Sequence, residues 1–489
     1  MIEHTRHSPA IAATPVAHFV RPLLACVPAM MLLVLLLRAV WDVDVFWQLK
    51  LGELILDHGG PIAREPFAAL HAQDLLPAVA WAGQAIMALV RRIGGWGLLR
   101  VFDALCWLGG FWAVAAACRR RGAAPGAVVL ALVLAFVAAL PTASIRPQSF
   151  ACLCLGLLLA LLRLRLKPAI TIALGLPLLV AWQNLHPSVS IGVLALGLTA
   201  LPDWVARLRG RSDAVPVAPT GLALIGIAAI FATPDGFSIL AISARNAEAS
   251  MAIGASEWLP LWIPGNHGNA LPILLVTAIA LRLVWRTQRF DIGEVAVALG
   301  LLVLTVSAYR FVLFWAVAMV PVIARAAAPS GQPGMSRREW AGLFIPIALV
   351  AIVTPLVAPT RFARSLPLPA VTYLRQQHVR GTVYADFPFG GVIIDTGYPD
   401  WKVAYDGRYY RYAREEWQYN GAIEAGFVPL VDVVRKWNPA AFVLNEAHNA
   451  PLAQALSRSR AWQRIYAGEG VVVYLPRYRS RAPARPNPR

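Results

Sequence analysis

Apolar residues run along this chain in long stretches broken by short polar turns. Such stretches occur at about 23–40, 97–117, 126–141, 148–162, 168–183, 188–204, 217–233, 269–285, 292–308, 311–326 and 341–357. Each is read as a membrane-spanning helix, giving about eleven spans, several shorter than the roughly 20 residues an untilted helix needs. The first, Leu23 to Val40, has no small-residue cleavage site before the acidic residues that follow, so it is read as a span and not as a removed leader. Leu75–Arg92 is ambiguous, being apolar but carrying Gln84. The arginines decide it. If 75–92 does not cross, Arg6, Arg119–Arg121, Arg163/Arg165/Lys167, Arg207/Arg209/Arg211, Arg286/Arg289 and Arg337/Arg338 all fall on one side, which the positive-inside rule makes the cytoplasm. The segment is therefore expected to lie as a helix in the membrane interface. The N-terminus is then cytoplasmic, and loops 41–96, 142–147, 184–187, 234–268 and 309–310 are external, with everything after about 358.

Composition agrees: of 489 residues, 58% are hydrophobic and 14% charged, which excludes an ordinary soluble chain. The excess of 44 basic over 26 acidic side chains, net +18, is accounted for by the arginine-bearing turns. Nucleic-acid binding is not expected, since no basic stripe is interleaved with aromatics on a soluble module. The five cysteines form no CxxC and no Cys/His cluster, so a structural zinc is not expected, and the C-terminal part, which has no cysteine, is not held by a disulfide framework.

After Pro359 the pattern changes. Short β-type runs at Gly381–Tyr384, Gly391–Ile394, Lys402–Tyr405, Ala440–Leu444 and Gly470–Tyr474 alternate with helix-like runs near 366–379, 423–437 and 448–459. This predicts a small external α/β domain over 361–476. The arginines and prolines of 477–489 predict a disordered basic tail suited to anionic lipid.

The polar residues that call for an explanation all lie in the predicted external loops. Asp42 and Asp44, in WDVDVFWQLKLGELIL, follow the first span directly. Two acids in one cleft can divide into an ionised group and a base tuned upward, or can hold a divalent cation, Mg or Mn, against a phosphate. Alternatively they are a solvated helix end, with Trp41 and Trp47 as an interfacial aromatic belt. Arg146, in the turn SIRPQS, and Arg310, in AYRF, are arginines outside, where they pair an anion or reach lipid headgroups. His186, in QNLHPS, is a binding residue or a packed histidine. Arg100 and Asp103, spaced i,i+3 inside a span, are expected to pair structurally. Loop 234–268, with Asp235, Arg245, Asn246, Glu248, Glu257 and Trp258, has the length and mixed polarity of a substrate cover. Asp406 and Arg408, in YDGRYY, form a local ion pair or line the acceptor side of the cleft.

Taken together, the Asp-x-Asp loop with Gly52–Glu53, the interfacial helix, the Arg-Pro turn, the Asn-x-His turn, the late Arg-Phe and Tyr405-Asp406-Gly407-Arg408 resemble bacterial multi-pass proteins related to the GT-C class of glycosyltransferases. Relatives of that class include polyprenyl-phosphate-sugar-dependent mannosyl- and arabinosyltransferases. The chain departs from the pattern at Gln48, where histidine is expected, and at Pro187, where glycine is. The resemblance implies a GT-C-like transmembrane domain over 1–358 in the inner membrane of a bacterium, with the tail periplasmic. It also implies sugar transfer from a polyprenyl-phosphate donor to a glycan, lipid or protein acceptor. Asp44, then Asp42, would be the essential acids, and Arg146, His186, Arg310, Gln48 and Glu53 the substrate side chains. The competing readings are a lipid or solute transporter, against which the spans show no paired broken helices, and a non-catalytic envelope scaffold.

Overall fold

The computed structural model describes residues 15–329, 331 and 336–477. Arg6, the Arg338 side chain and the stretch 478–489 lie outside the described residues.

A helix stands at each predicted span. Those at Trp81–Arg120, Pro125–Thr142, Pro168–Leu185, Val189–Leu208, Pro264–Thr287, Tyr309–Ala327 and Glu339–Val357 are long and apolar enough to cross a membrane. Apolar helices at Leu24–Leu37, Gln148–Leu164, Val217–Ala229 and Ile292–Ser307 are shorter. Burial sorts centre from rim. In Tyr309–Ala327 78% of the apolar window is buried inside the protein, against 11% in Glu339–Val357, whose Ile345, Leu349, Ile352 and Leu356 face outward. Exposed leucines in that number suit lipid, not water.

The expected interfacial helix begins at Trp81, not at residue 75, and runs without a loop into the second span. The break between the two is Gly94–Gly95, where the backbone leaves helical geometry and Gly95 takes φ +61°. A left-handed backbone there is open to glycine at little cost, so the sequence GG turns the chain into the membrane.

The predicted grouping of loops is reproduced by contact. Asp42 meets Arg146, Arg146 and Arg310 meet Glu257, and Trp81 donates to Asn184. The backbone N–H of Ala78 also donates to Asp235. Another cluster joins Arg163, Arg165 and Arg325 to Asp291 and Glu294 among the turns read as cytoplasmic. The Arg100–Asp103 pair does not form. Arg100 reaches the carbonyls of Leu36 and Ala358, both at 2.9 Å, and Asp103 takes the Ser149 hydroxyl. Helix ends offered the arginine free carbonyls, and a hydroxyl met the acid more cheaply than a buried charge would.

The tail is a five-stranded sheet in the order β2-β1-β3-β5-β4, with β1 Gly381–Ala385, β2 Trp401–Val403, β3 Ala441–Asn445, β4 Trp462–Gly468 and β5 Val471–Pro476. β1 runs parallel to β2 and β3, and β5 is antiparallel to β3 and β4. The predicted strand at Gly391–Ile394 is instead helix Gly390–Gly397, buried on all sides, so its apolar run carried no period to tell helix from strand. β4 escaped prediction because its exposed Gln463 and Arg464 interrupt alternation.

The tail is bound to the membrane part through backbone. Val40 N–H donates to Arg361 O and Ala363 N–H to Val40 O, both at 2.8 Å, across the Val40–Phe362 bridge. The loop before helix Trp81–Arg120 covers the free edge of β2: Val403 N–H donates to Phe67 O and Ala69 N–H to Val403 O, both at 2.9 Å. An edge strand is thereby closed by the same chain.

Candidate functional site

Asp42 and Asp44 stand where the first helix ends and helix Asp44–His58 begins. Asp42 is buried, and its Oδ1 accepts the backbone N–H of Asp44 at 2.9 Å, an Asx-type contact that fixes the loop. Its Oδ2 lies 2.7 Å from Arg146 Nε. Arg146 also donates from Nε to Ser144 Oγ (2.8 Å) and from a terminal nitrogen to Glu257 Oε2 (3.3 Å). Glu257 is shared with Arg310 at 3.7 Å, and that guanidinium lies 3.8 Å from the centre of the Trp258 ring. The cluster therefore holds three acids and two arginines, and Asp44 is the acid that no arginine claims.

Asp44 Oδ1 accepts the Trp47 indole N–H at 3.0 Å. Trp47 is buried in this role and does not belong to an interfacial belt. The tail closes over the same carboxylate. A β-carbon at Gly407 would collide with Asp44 Oδ1, so only glycine lets the YDGRYY segment lie there. Burial, with the charge of Asp42 beside it, raises the Asp44 pKa from 3.8 to about 7, against the pull of Arg146 and the indole. Burial alone would raise Glu257 too, but Arg146 and Arg310 outweigh it and hold it below the usual carboxylate range. Arg146 is held firmly charged by Asp42 and Glu257 despite its burial. Burial, then Arg310 and Arg146, drives His186 down to about 3. His186 is thus a neutral imidazole hydrogen-bonded to Ser188 at 2.8 Å, beside the arginines but not a cation for phosphate. Tyr409, two residues past Gly407, lies in the field of Asp44 and Glu257, and burial plus those charges push its phenol well above its ordinary value.

Not every expected residue joins this cluster. Glu53 sits two and a half turns along the helix from Asp44. It pairs with Lys50 (2.6 Å) and Arg91 (2.8 Å), and Arg91 also reaches Asp395 (2.8 Å), so it ties the interfacial helix to the tail. Gln48 is half-buried, and its Oε1 has no hydrogen-bond partner. Asp406 and Arg408 flank the glycine over Asp44 but are occupied elsewhere. Arg408 donates to Asp406 (2.6 and 2.8 Å) and to Glu65 of the first external loop (2.7 and 3.0 Å), and Tyr412 donates to Asp406 (2.9 Å). All three charges are inaccessible, so this is a buried tether between loop and tail and not the exposed pair considered from sequence. Glu65 and Tyr409 gave no signal in sequence, and Glu257 was visible only as one polar residue of a long loop. Glu65 meets Arg408 from 343 residues away and Glu257 meets Arg146 from 111.

For a divalent cation, Asp42 and Asp44 offer two carboxylates, one of them already neutralised by Arg146. Among the described residues, the trio of His, Cys, Asp or Glu close enough to share an ion is Asp386, Glu424 and His448, in the tail. No chemical step is therefore assigned to a metal at Asp42 and Asp44.

A cavity of about 900 Å³ opens between helix Ser238–Ala252 and the tail. Asp44 is not on its wall. Trp417 and Phe387 are, and both pack on Tyr409, at ring distances of 5.6 and 6.3 Å.

No family model matches the sequence, and no curated protein matches it. Solved structures do. The Archaeoglobus fulgidus oligosaccharyltransferase in its apo form matches with a TM-score of 0.55 at 12% identity, covering 89% of this chain and 70% of that one. The archaeal oligosaccharyltransferase AglB of the same organism, in complex with an inhibitory peptide and a dolichol-phosphate, matches with 0.54 at 12% identity, covering 95% and 75%. A mycobacterial arabinofuranosyltransferase, AftD, gives 0.45 at 16% identity, over 93% of this chain and 41% of that one. At such identities the likeness is one of fold, and in fold this chain is a multi-pass membrane protein of the GT-C kind.

Proposed function

We propose that the chain is an integral-membrane glycosyltransferase that moves a sugar from a polyprenyl-phosphate donor to an acceptor hydroxyl at the external face. The observation that carries this reading is Asp44: a partly buried carboxylate tuned to about 7, unclaimed by any arginine, one residue pair away from an Asp42–Arg146–Glu257–Arg310 chain. A base poised near the working pH removes a proton most effectively. In the proposed step the acceptor oxygen attacks the anomeric carbon, its proton passes to Asp44, and the bond from that carbon to the phosphate oxygen breaks. The electron pair leaves with the lipid phosphate, whose charge Arg146 and Arg310 are placed to stabilise. Arg310 is well suited, because its contact to Glu257 is long, at 3.7 Å, and leaves its charge incompletely matched. The GT-C fold supports the reading, as does the dolichol-phosphate bound by the archaeal relative in fold.

A second reading, a non-catalytic scaffold, is favoured by one observation: Asp42 is held in an ion pair with Arg146 and Gly407 packs over Asp44. The deciding experiment is transfer of radiolabelled sugar from polyprenyl phosphate in proteoliposomes containing the purified protein. Transfer that disappears with Asp44→Asn supports catalysis. No transfer by the wild type to glycan, lipid or peptide acceptors, with bound lipid phosphate still detectable, favours the scaffold.

A further inference from the structure

Asp386, Glu424 and His448 come from three separate segments of the tail and converge so that one ligand atom from each lies within 4.8 Å of the others. His448 Nδ1 is 2.8 Å from Asp386 Oδ1, and Nε2 is 3.7 Å from Glu424 Oε2. Zinc bonds of 2.0–2.2 Å put neighbouring ligand atoms about 3.4 Å apart, so the trio, within 4.8 Å here, would draw together around an ion held by one of the two ring nitrogens.

The sheet topology points to the same place. From β1 the chain moves to β2 on one side and then crosses to β3 on the other, so the crevice beyond the carboxyl ends of β1 and β3 is the point where strand order reverses. Parallel sheets bind ligands at that crevice. Asp386 immediately follows β1, is buried, and donates its backbone N–H to Val443 O of β3 at 3.0 Å. His448 sits in the turn after β3. Asn445 Oδ1 accepts the backbone N–H groups of Ala447 and His448 (both 3.1 Å), and Asn449 closes the loop back onto Asn445 (3.2 Å). Glu424 ends helix Arg414–Glu424 and is oriented by Asn420 at 2.8 Å. Glu424, Asn420 and Phe387 also line the 900 Å³ cavity.

We propose that Asp386, Glu424 and His448 bind a divalent transition metal of the zinc type, with its open coordination position facing that cavity. One imidazole with two carboxylates suits zinc and is poorly matched to magnesium, which favours oxygen ligands. The site is separate from the Asp44 cluster and does not rest on the sugar-transfer reading.

The test is direct metal binding by the full-length protein in detergent. The protein is stripped with a chelator, and Zn²⁺ is titrated in competition with a fluorescent zinc indicator. The expected result is one tight site per chain, weakened at least about tenfold in both His448→Ala and Glu424→Gln, since even outer partners of metal ligands are worth that much. His58→Ala, an exposed histidine elsewhere, should bind as the wild type does. Glu424→Gln keeps the shape of the side chain, and equal melting temperatures of the stripped proteins show that both variants fold. Wild-type binding no tighter than about 100 µM, or unchanged affinity in both variants, overturns the proposal and leaves a hydrogen-bonded His–Asp pair.

Discussion

Replacing Asp44 by asparagine separates the chemical role of the carboxylate from its place in the fold. The substitution keeps the shape and the oxygen that accepts the Trp47 indole at 3.0 Å, and removes the charge. Loss of a positioned base costs about 10²–10⁴ in rate, or about 2.7–5.5 kcal/mol of barrier. Stability should move the other way. A carboxyl raised from 3.8 to about 7 by burial and Asp42 costs the folded state nothing below pH 3.8, where it is protonated in both states. The cost grows as pH rises through that interval and is complete above about 7. At 1.36 kcal/mol per pH unit it reaches at most about 4 kcal/mol. Asp44→Asn should therefore be at least as stable as the wild type at pH 8, with the advantage fading toward pH 5, while transfer in proteoliposomes is nearly abolished. Wild-type transfer should rise with pH through about 7 as Asp44 ionises. The assay pairs initial rates with detergent-phase melting temperatures at pH 5, 7 and 8. Full turnover by Asp44→Asn, or a flat wild-type pH profile between 6 and 8, would refute the assignment of Asp44 as base.

Further outcomes are expected from the same geometry. Gly407→Ala drives a methyl group into the Asp44 carboxylate, so transfer should fall at least about tenfold through a displaced base; an unchanged rate would show that the YDGRYY segment does not set the position of Asp44. Arg146→Lys keeps the charge that Asp42 needs but loses the guanidinium fork, and should raise the KM for the lipid donor more than it lowers kcat. Arg408→Ala leaves Asp406 with no arginine and Glu65 with only the longer Arg411 contact, a loss approaching about 3–5 kcal/mol, read as proteolytic release of the tail at temperatures the wild type survives. Alkaline-phosphatase fusions after residue 365 should be active and those near 120 and 210 inactive; the reverse pattern would place the Asp44 cluster in the cytoplasm.

Much of the architecture was legible in the sequence because a membrane imposes a single strong constraint. Backbone groups in lipid must bond within their own segment, so each span announces itself as an apolar run, and arginines mark one set of turns. That was enough to place the helices. It also grouped Asp42, Arg146, His186 and Arg310 on one side, where the structure brings them together around Glu257. What the sequence could not decide was pairing. The i,i+3 spacing suggested Arg100 with Asp103, but helix-end carbonyls and Ser149 were nearer in three dimensions. Glu53 shared a helix with Asp44 yet faces Arg91, and Arg408, besides the local pair with Asp406 that the sequence suggested, reaches Glu65, 343 residues away. The run at Gly391–Ile394 became a helix because its burial on all sides erased the period that distinguishes helix from strand. Hydrophobic pattern is a local property, set by what each segment must hide. The partner of a charge, the pKa of Asp44 and the glycine that caps it depend on which distant segments share its burial, and only the tertiary structure decides that.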